Sequence, residues 1–330
     1  MYSNPFHTKD LSQFSFLITG GAGFIGSNII DYLIKYNAQK IRVLDNLSTG
    51  YTVNISSFIK NNSIEFVNED ISNFDSCLKA TKGIDYILHQ AALGSVSRSI
   101  ENPIATNNSN VNGFLNILES AKANNIKRVV YASSSSVYGD NKTLPKFEDK
   151  IGNPLSPYAV TKLVDELYSY VFAKTYNMEI IGLRYFNVFG PNQSPKGPYA
   201  AVIPLFINAI KNNSSPVIFG DGNQSRDFTF VENAVQANIK ALFADIKGIS
   251  GKVFNVALGE NYSVNTLFQT LKDLTGSKIN PIYKDKRIGE IENSLADISF
   301  AQKSLGYNPE IKLHEGLKRT LDWFISNKLV

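Results

Sequence analysis

Tyr158 and Lys162 stand four residues apart in the stretch Ser156-Pro157-Tyr158-Ala159-Val160-Thr161-Lys162. With Pro157 in a first helical turn, where proline is tolerated, both side chains fall on one face of the helix that follows. A free tyrosine, with a pKa of about 10, is a poor base near neutrality. A fixed ammonium beside it favours the phenolate. The pair is therefore a candidate general acid/base. Standing alone, it is equally the surface of an ordinary amphipathic helix. The elements that position the pair, and what they bring beside it, decide between the two.

Those elements alternate. Phe14–Thr19 is a short apolar run that predicts a buried parallel strand. Gly20-Gly21-Ala22-Gly23-Phe24-Ile25-Gly26 follows, then a helical pattern from Ser27 to Tyr36 and a second strand, Lys40–Leu44, ending at Asp45. Gly21, Gly23 and Gly26 satisfy G-x-G-x-x-G, and Gly20, Gly23 and Gly26 satisfy G-x-x-G-x-x-G. A Cβ in such a loop blocks the tight turn and the approach of backbone N–H groups to a pyrophosphate. The helix N-terminus supplies further donors and partial positive charge. Asp45 lies 19 residues after Gly26, about where an acid bonds the adenosine ribose hydroxyls. Its charge repels a 2′-phosphate and no arginine follows at once, so NAD is favoured over NADP.

Ile64–Asn68 predicts a third strand, followed by Glu69-Asp70-Ile71. Asp70 and Ile71 could flank an adenine, or Asp70 could cap the helix starting near Asn73. Asp85–Gln90 is a fourth strand running into Ala91 and Ala92, small residues that leave room at a sheet edge. His89 fits a core or edge position better than a catalytic one. Thr106–Asn124 predicts one long helix, and Lys127–Ala132 a fifth strand entering Ser133-Ser134-Ser135-Ser136. Four serines make a plain turn, but these leave a strand on the same edge as the glycine loop. The helix of Tyr158 runs to about Tyr176, and Glu179–Arg184 is a sixth strand.

After Pro191 the texture changes. Asn192–Tyr199 is a Pro/Gly-rich loop and Val202–Lys211 is helical. Val217–Asp227 combines a strand, an Asp-Gly turn and Arg226; Phe228–Asp245 includes a helix; Val253–Val256 is a strand returning to the sheet. Tyr262–Thr275, Asp297–Leu305 and Leu313–Asn327 are helical, and Lys284–Glu290 is a charged loop. The expected architecture is α/β: a Rossmann-like, doubly wound parallel sheet over residues 1–190, with return of about 228–257, and a smaller C-terminal α/β lobe over 191–330.

Composition sets limits. The 330 residues suffice for a real core, and 43% apolar with 19% charged residues is ordinary for a globular protein. A net charge of 33 − 29 = +4, with scattered Lys and Arg, does not point to nucleic acid. Cys77 is the only cysteine, which fits a reducing compartment. His7, His89 and His314 have no metal-ligand spacing. Met1–Gln13 has no signal-peptide core, and no apolar run approaches the ~20 residues of a membrane helix. A cytoplasmic protein without membrane contact is expected.

With the glycine loop, Ser134 and the Tyr158/Lys162 pair in this order, nearly the whole chain resembles the extended short-chain dehydrogenase/reductase superfamily. Within it, the chain resembles the nucleotide-sugar epimerases, through RYFNVFGPNQ (184–193), FGDGNQSRDF (219–228) and RIGE (287–290). GSVSRSIENP (94–103), YASSSSVYGD (131–140) and NSLADIS (293–299) bring it nearest the UDP-N-acetylhexosamine 4-epimerases. The resemblance implies an enzyme in which Tyr158 is the base, Lys162 its partner and a nicotinamide-ribose ligand, and Ser134 the hydroxyl on the sugar O4. It implies NAD contacts at Gly20, Gly23, Phe24, Ile25, Gly26, Asp45, Asn46, Asp70, Ile71, Gln90, Ala91, Ala92 and Tyr185. For the UDP-sugar it implies Gly94, Ser95, Ser135, Ser136, Ala201 and Val202, with Asn187, Arg226 and Arg287 toward the diphosphate and Glu290 on the uridine ribose.

Two departures from neighbouring families narrow the reaction. Sugar 4,6-dehydratases carry Thr-Asp-Glu where this chain has Ser134-Ser135-Ser136, so the acid/base couple that expels water is missing. Narrow UDP-galactose 4-epimerases have a bulky Tyr where Ser294 falls, and a serine leaves volume for a 2-acetamido group. The implied reaction is NAD-dependent C4 epimerisation of a UDP-N-acetylhexosamine, or its uronic acid, through a transient 4-keto sugar. A UDP-glucose/UDP-galactose epimerase, an NDP-sugar dehydratase or decarboxylase, and a non-catalytic NAD sensor are the alternatives. The resemblance also implies a homodimer, with the helices at 106–124 and 157–176 paired across a two-fold as a four-helix bundle.

Overall fold

The computed structural model describes residues 1–195, 201–286 and 292–327. Its first half is β1 (Ser15–Thr19), α1 (Phe24–Lys35), β2 (Lys40–Leu44), α2 (Ser56–Lys60), β3 (Glu65–Val67), α3 (Phe74–Thr81), β4 (Tyr86–His89), α4 (Val96–Glu101), α5 (Pro103–Asn107), a π-helical turn (Asn108–Asn112), α6 (Gly113–Ala123), β5 (Arg128–Ser134), α7 (Pro157–Thr175) and β6 (Ile180–Tyr185). The second half is β7 (Val188–Phe189), α8 (Val202–Lys211), β8 (Val217–Phe219), β9 (Ser225–Arg226), β10 (Thr229–Phe230), α9 (Val231–Phe243), β11 (Lys252–Val256), β12 (Tyr262–Ser263), α10 (Val264–Thr275), β13 (Ile282–Lys284), α11 (Ser299–Leu305) and α12 (Leu313–Ser326).

Seven strands pair in the order β3-β2-β1-β4-β5-β6-β11, all parallel, as a Rossmann-like doubly wound sheet requires. β1, β4 and nearly all of β5 and β6 are buried, which is why they read as continuous apolar runs. One apolar cluster packs Ile29, Leu33, Val235, Ile239 and Phe254 on one side of the sheet. A second packs Phe114, Ile117, Leu118 and Phe172 on the other. The chain order reverses between β1 and β4, and there the helices diverge and open a crevice at the C-terminal strand ends. A third cluster, with Phe206, Phe228, Phe230, Leu267, Leu317 and Phe324, forms the core of the C-terminal lobe.

Several element boundaries differ from those the sequence predicts. α1 starts at Phe24 rather than Ser27, because Gly23 takes the extended cap position. The helix predicted over Thr106–Asn124 is broken by the π-helical turn. There Asn110, buried, accepts from Leu93 N at 2.8 Å and donates to Thr161 Oγ1 at 3.0 Å. These side-chain bonds compete with the regular helical ladder. α10 starts at Val264, since Tyr262 and Ser263 pair antiparallel with β9.

The polar N-terminal arm carries an anchor. Tyr2 is fully buried; its N–H donates to Glu232 Oε1 on α9 at 2.9 Å and its hydroxyl to the Asn28 carbonyl on α1 at 2.9 Å. Glu232 in turn pairs with Arg319 on α12 at 3.0 Å. The arm thus ties the sheet domain to the C-terminal lobe. Replacing a buried aromatic side chain with alanine costs about 3 kcal/mol. Tyr2→Ala is expected to lower unfolding stability by about that amount, read as the shift in a urea transition.

Candidate active site

The crevice at the strand switch widens into a cleft of about 780 Å³. One end is built by the glycine turn. Gly20 has φ +69°, and a Cβ there would stand 2.6 Å from Ala91 N. A Cβ on Gly26 would stand 2.3 Å from the Gly20 carbonyl oxygen. The turn is therefore closed to any side chain at these positions, and its backbone lies open to the cleft. Phe24, Ile25 and Gly23 line it at the start of α1, where unsatisfied N–H groups suit a diphosphate.

Asp45 follows β2 and is buried. Its carboxylate accepts from Ala22 N at 2.9 Å and Leu47 N at 2.8 Å, and burial pushes its pKa up. It thus braces the glycine turn as well as lining the cleft. Asn46 donates to Asp70 Oδ2 at 2.6 Å, and Asp70 also accepts from Ser72 N at 2.7 Å. Asn46, Asp70 and Ile71 all line the same end. Together they form a pocket suited to an adenosine.

The other end gathers the residues for chemistry. Ser156 caps α7, its hydroxyl accepting from Ala159 N at 3.1 Å, and Pro157 occupies the first turn. Such a cap is worth about 1 kcal/mol and fixes where the helix begins. Tyr158, half-buried, and Lys162, buried, both line the cleft. The Lys162 ammonium donates to the Ala132 carbonyl on β5 at 2.9 Å and pairs with Asp165 at 3.1 Å. The turn Ser135–Tyr138 packs on α7, and Ser133, Ser134 and Ser135 line the cleft. Ser134 Oγ accepts from Ser136 N at 3.1 Å. Gln90, Ala91, Ala92, Gly94, Ser95, Tyr185, Asn187 and Ala201 also line it.

Not every candidate reaches it. Ser136 and Val202 do not line the cleft, and Ser136 Oγ is buried without a partner. Arg226 lies outside the lining, its guanidinium donating to Ser225 O at 2.9 Å and Glu292 O at 3.2 Å. Ser294 is half-buried and donates its N–H to Ser225 O at 3.0 Å, also outside the lining. Arg287 and Glu290 lie outside the described residues.

Other residues enter only with the structure. Asn110 is fixed beside Thr161 on α7, and Ser109 and Arg98 line the cleft. The four asparagines at 107, 108, 110 and 112 are poor helix formers and could have signalled the break. Asp227, fully buried, accepts from Leu258 N at 2.9 Å, Gly259 N at 3.1 Å and Ala296 N at 3.3 Å, and burial pushes it up to about 7. It fixes three chain segments around Arg226. Nothing in its local spacing marks it, because all its partners are distant in the chain.

Residues 16–257 match the NAD dependent epimerase/dehydratase family. A putative UDP-glucose 4-epimerase of Methanocaldococcus jannaschii is 44% identical over 94% of this chain and 98% of its own. The solved structure of a UDP-N-acetylglucosamine 4-epimerase from Methanobrevibacter ruminantium M1, in complex with UDP-N-acetylmuramic acid, is 43% identical. It superposes with a TM-score of 0.89 over 97% of this chain and 100% of that one. A UDP-glucuronic acid 4-epimerase from Bacillus cereus, solved with UDP-glucuronic acid and NAD, is 32% identical, with a TM-score of 0.87 over 95% and 99%. Among the described residues no helix is long and apolar enough to cross a membrane.

A methyl group at position 26 has only backbone to push against. Gly26→Ala is expected to yield folded protein that emerges from gel filtration with little bound dinucleotide, measured as absorbance of the released nucleotide per mole of chain.

Proposed function

The chain belongs to the NAD dependent epimerase/dehydratase family, and we propose that within it the chain is a UDP-N-acetylhexosamine 4-epimerase, acting on UDP-GlcNAc and UDP-GalNAc or the corresponding uronic acids. It is an NAD-dependent UDP-sugar 4-epimerase; the choice of sugar is the proposal. The observation that carries it is the cleft wall at Gly94-Ser95, on the loop leading into α4, which packs against α7. A Cβ on Gly94 would meet nothing within 4 Å. Small residues and open space there leave volume for a 2-acetamido group. The 43% identity to a UDP-N-acetylglucosamine 4-epimerase supports the same choice.

The glycine cradle, Asp45 and Lys162 fit NAD in chemistry and in position. When bound, NAD supplies the acceptor for the C4 hydride and the donor that returns it. Tyr158 takes the proton from O4 and gives it back after the sugar has turned. Ser134 bonds O4 and orients it toward Tyr158. Lys162 presents positive charge that stabilises the phenolate. Asn187, Arg226 and Arg287 hold the diphosphate during the turn, Arg226 by leaving its backbone carbonyls for charge-assisted bonds to phosphate. Among the described residues, the carboxylates lining the cleft are Asp45, Glu69 and Asp70, all at the adenosine end. No acid pair stands at the serines to expel water across C5–C6, which favours epimerisation over dehydration.

We also infer a homodimer. Ile104 on α5 is 74% exposed, and Leu167, Tyr170 and Val171 present apolar surface on α7. Such a face is costly in water and, doubled across a two-fold, makes a four-helix bundle. Light scattering is expected to give twice the chain mass, and Leu167→Glu to give monomer. A monomeric wild type overturns this inference.

Purified protein without added NAD is expected to convert UDP-GlcNAc to UDP-GalNAc, followed by NMR of the sugar. Turnover of UDP-glucose alone overturns the choice of sugar, and a 6-deoxy-4-keto product overturns the reaction. Tyr158→Phe should keep its bound NAD and lose activity by roughly 10²- to 10⁴-fold.

A further inference from the structure

Asp165 is a buried acid that the chemistry above leaves unused. It lies on α7, three residues after Lys162, and is 1% exposed. Its Oδ2 accepts from the Lys162 ammonium at 3.1 Å, while its Oδ1 is buried with no partner. A carboxylate in this position is costly unless it has a task, since burial penalises the charge and one oxygen is unsatisfied.

The task is legible at the lysine. An ammonium has three N–H donors. In Lys162 one goes to the Ala132 carbonyl at 2.9 Å and one to Asp165. Both acceptors are protein groups, fixed by β5 and by α7. Lys162 itself lines the cleft, so the third donor is left for a ligand. We propose that Asp165 is a positioning residue for Lys162: it holds the ammonium aimed, so that its remaining N–H meets the ribose while its charge faces the base. This rests on the roles given above to Tyr158 and Lys162, and is independent of which UDP-sugar is used.

The neighbours leave Asp165 as the group that can switch. Burial pushes its carboxyl up to about 7, against the pull of Lys162, and Glu166 on the same helix adds to the rise. Glu166 is itself committed, to Arg184 on β6 at 2.7 and 2.8 Å and to Ser133 at 2.5 Å. Tyr131 on β5 is kept neutral by burial. His89 on β4 is held neutral by burial and by Lys162, its pKa lowered to about 3. As pH falls through the Asp165 value, the acid is protonated and Lys162 loses its ion pair. Activity is then lost on the acid side, and retained above it.

The test is a pH profile of kcat and KM on the full chain, with whichever UDP-sugar the wild type epimerises. Wild-type kcat must fall as pH drops through about 7; a flat profile down to pH 5 overturns the proposal. Asp165→Asn keeps the shape and an acceptor but not the charge. It is expected to lose kcat by roughly 10- to 100-fold with KM little changed, and to shift the acid limb. Asp165→Ser, smaller and still polar, is the second variant should the amide not fold. A variant of either kind that melts lower but matches the wild-type profile shows a merely structural acid and overturns the proposal. Lys162→Met separates the two levels. If it keeps full activity, the role of Lys162 itself fails. If it is inactive while Asp165→Asn is unaffected, only the present inference fails.

Discussion

The structure depends on how closely one stretch of backbone passes another at the glycine turn. Between β1 and α1 the chain folds so tightly that a methyl group at Gly26 would lie within 2.3 Å of the Gly20 carbonyl, and one at Gly20 within 2.6 Å of Ala91 N. That contact sets β1 against the end of β4 at the point where strand order reverses. The crevice, the open helix N-terminus and the placing of Asp45 against Ala22 N follow from it. A side chain at Gly20 would not merely crowd a ligand; it would push the end of β1 away from the end of β4.

Buried charge is concentrated on one helix. α7 carries Lys162, Asp165 and Glu166 into the interior, where single charges are costly and pairs only partly offset their own desolvation. Lys162 and Glu166 are answered from the sheet, and Asp165 by Lys162 on its own helix. Ala132 receives Lys162, Arg184 takes both oxygens of Glu166, and Ser133 donates to the same acid. Replacing such pairs by apolar groups would often be neutral or stabilising. Their retention beside Tyr158 therefore points to orientation of the helix face rather than to stability. The helix that carries the base is held in register with the strand that carries the serines.

The C-terminal lobe is joined to the sheet by the same means. Asp227 gathers backbone N–H groups from Leu258, Gly259 and Ala296, and Asn187 bonds the Asp227 carbonyl at 3.0 Å. β11 pairs with β6 while α9 packs against α1 and β5, so residues beyond 228 complete the seven-stranded sheet and one of its helical faces. Tyr2 closes the connection from the other terminus through Glu232 and Arg319. The cleft between sheet and lobe is thereby framed by hydrogen bonds between segments far apart in the chain.

Local rules were enough for much of this. Glycine spacing, the acid after β2, the apolar strand runs and the Ser-Pro start of α7 each act within a few residues, where steric and hydrogen-bonding preferences are read directly from residue type. They determined the doubly wound sheet, the cradle, and the one face shared by Tyr158 and Lys162. What lay outside them was decided by contacts between distant segments. The π-helical turn exists because Asn110 meets Leu93 and Thr161. Arg226 donates to the carbonyls of Ser225 and of Glu292, the second 66 residues away in the chain. Asp165 reads as one more polar helix residue until β5 is laid against it. Burial and partner choice belong to the packed chain, and a one-dimensional pattern carries neither.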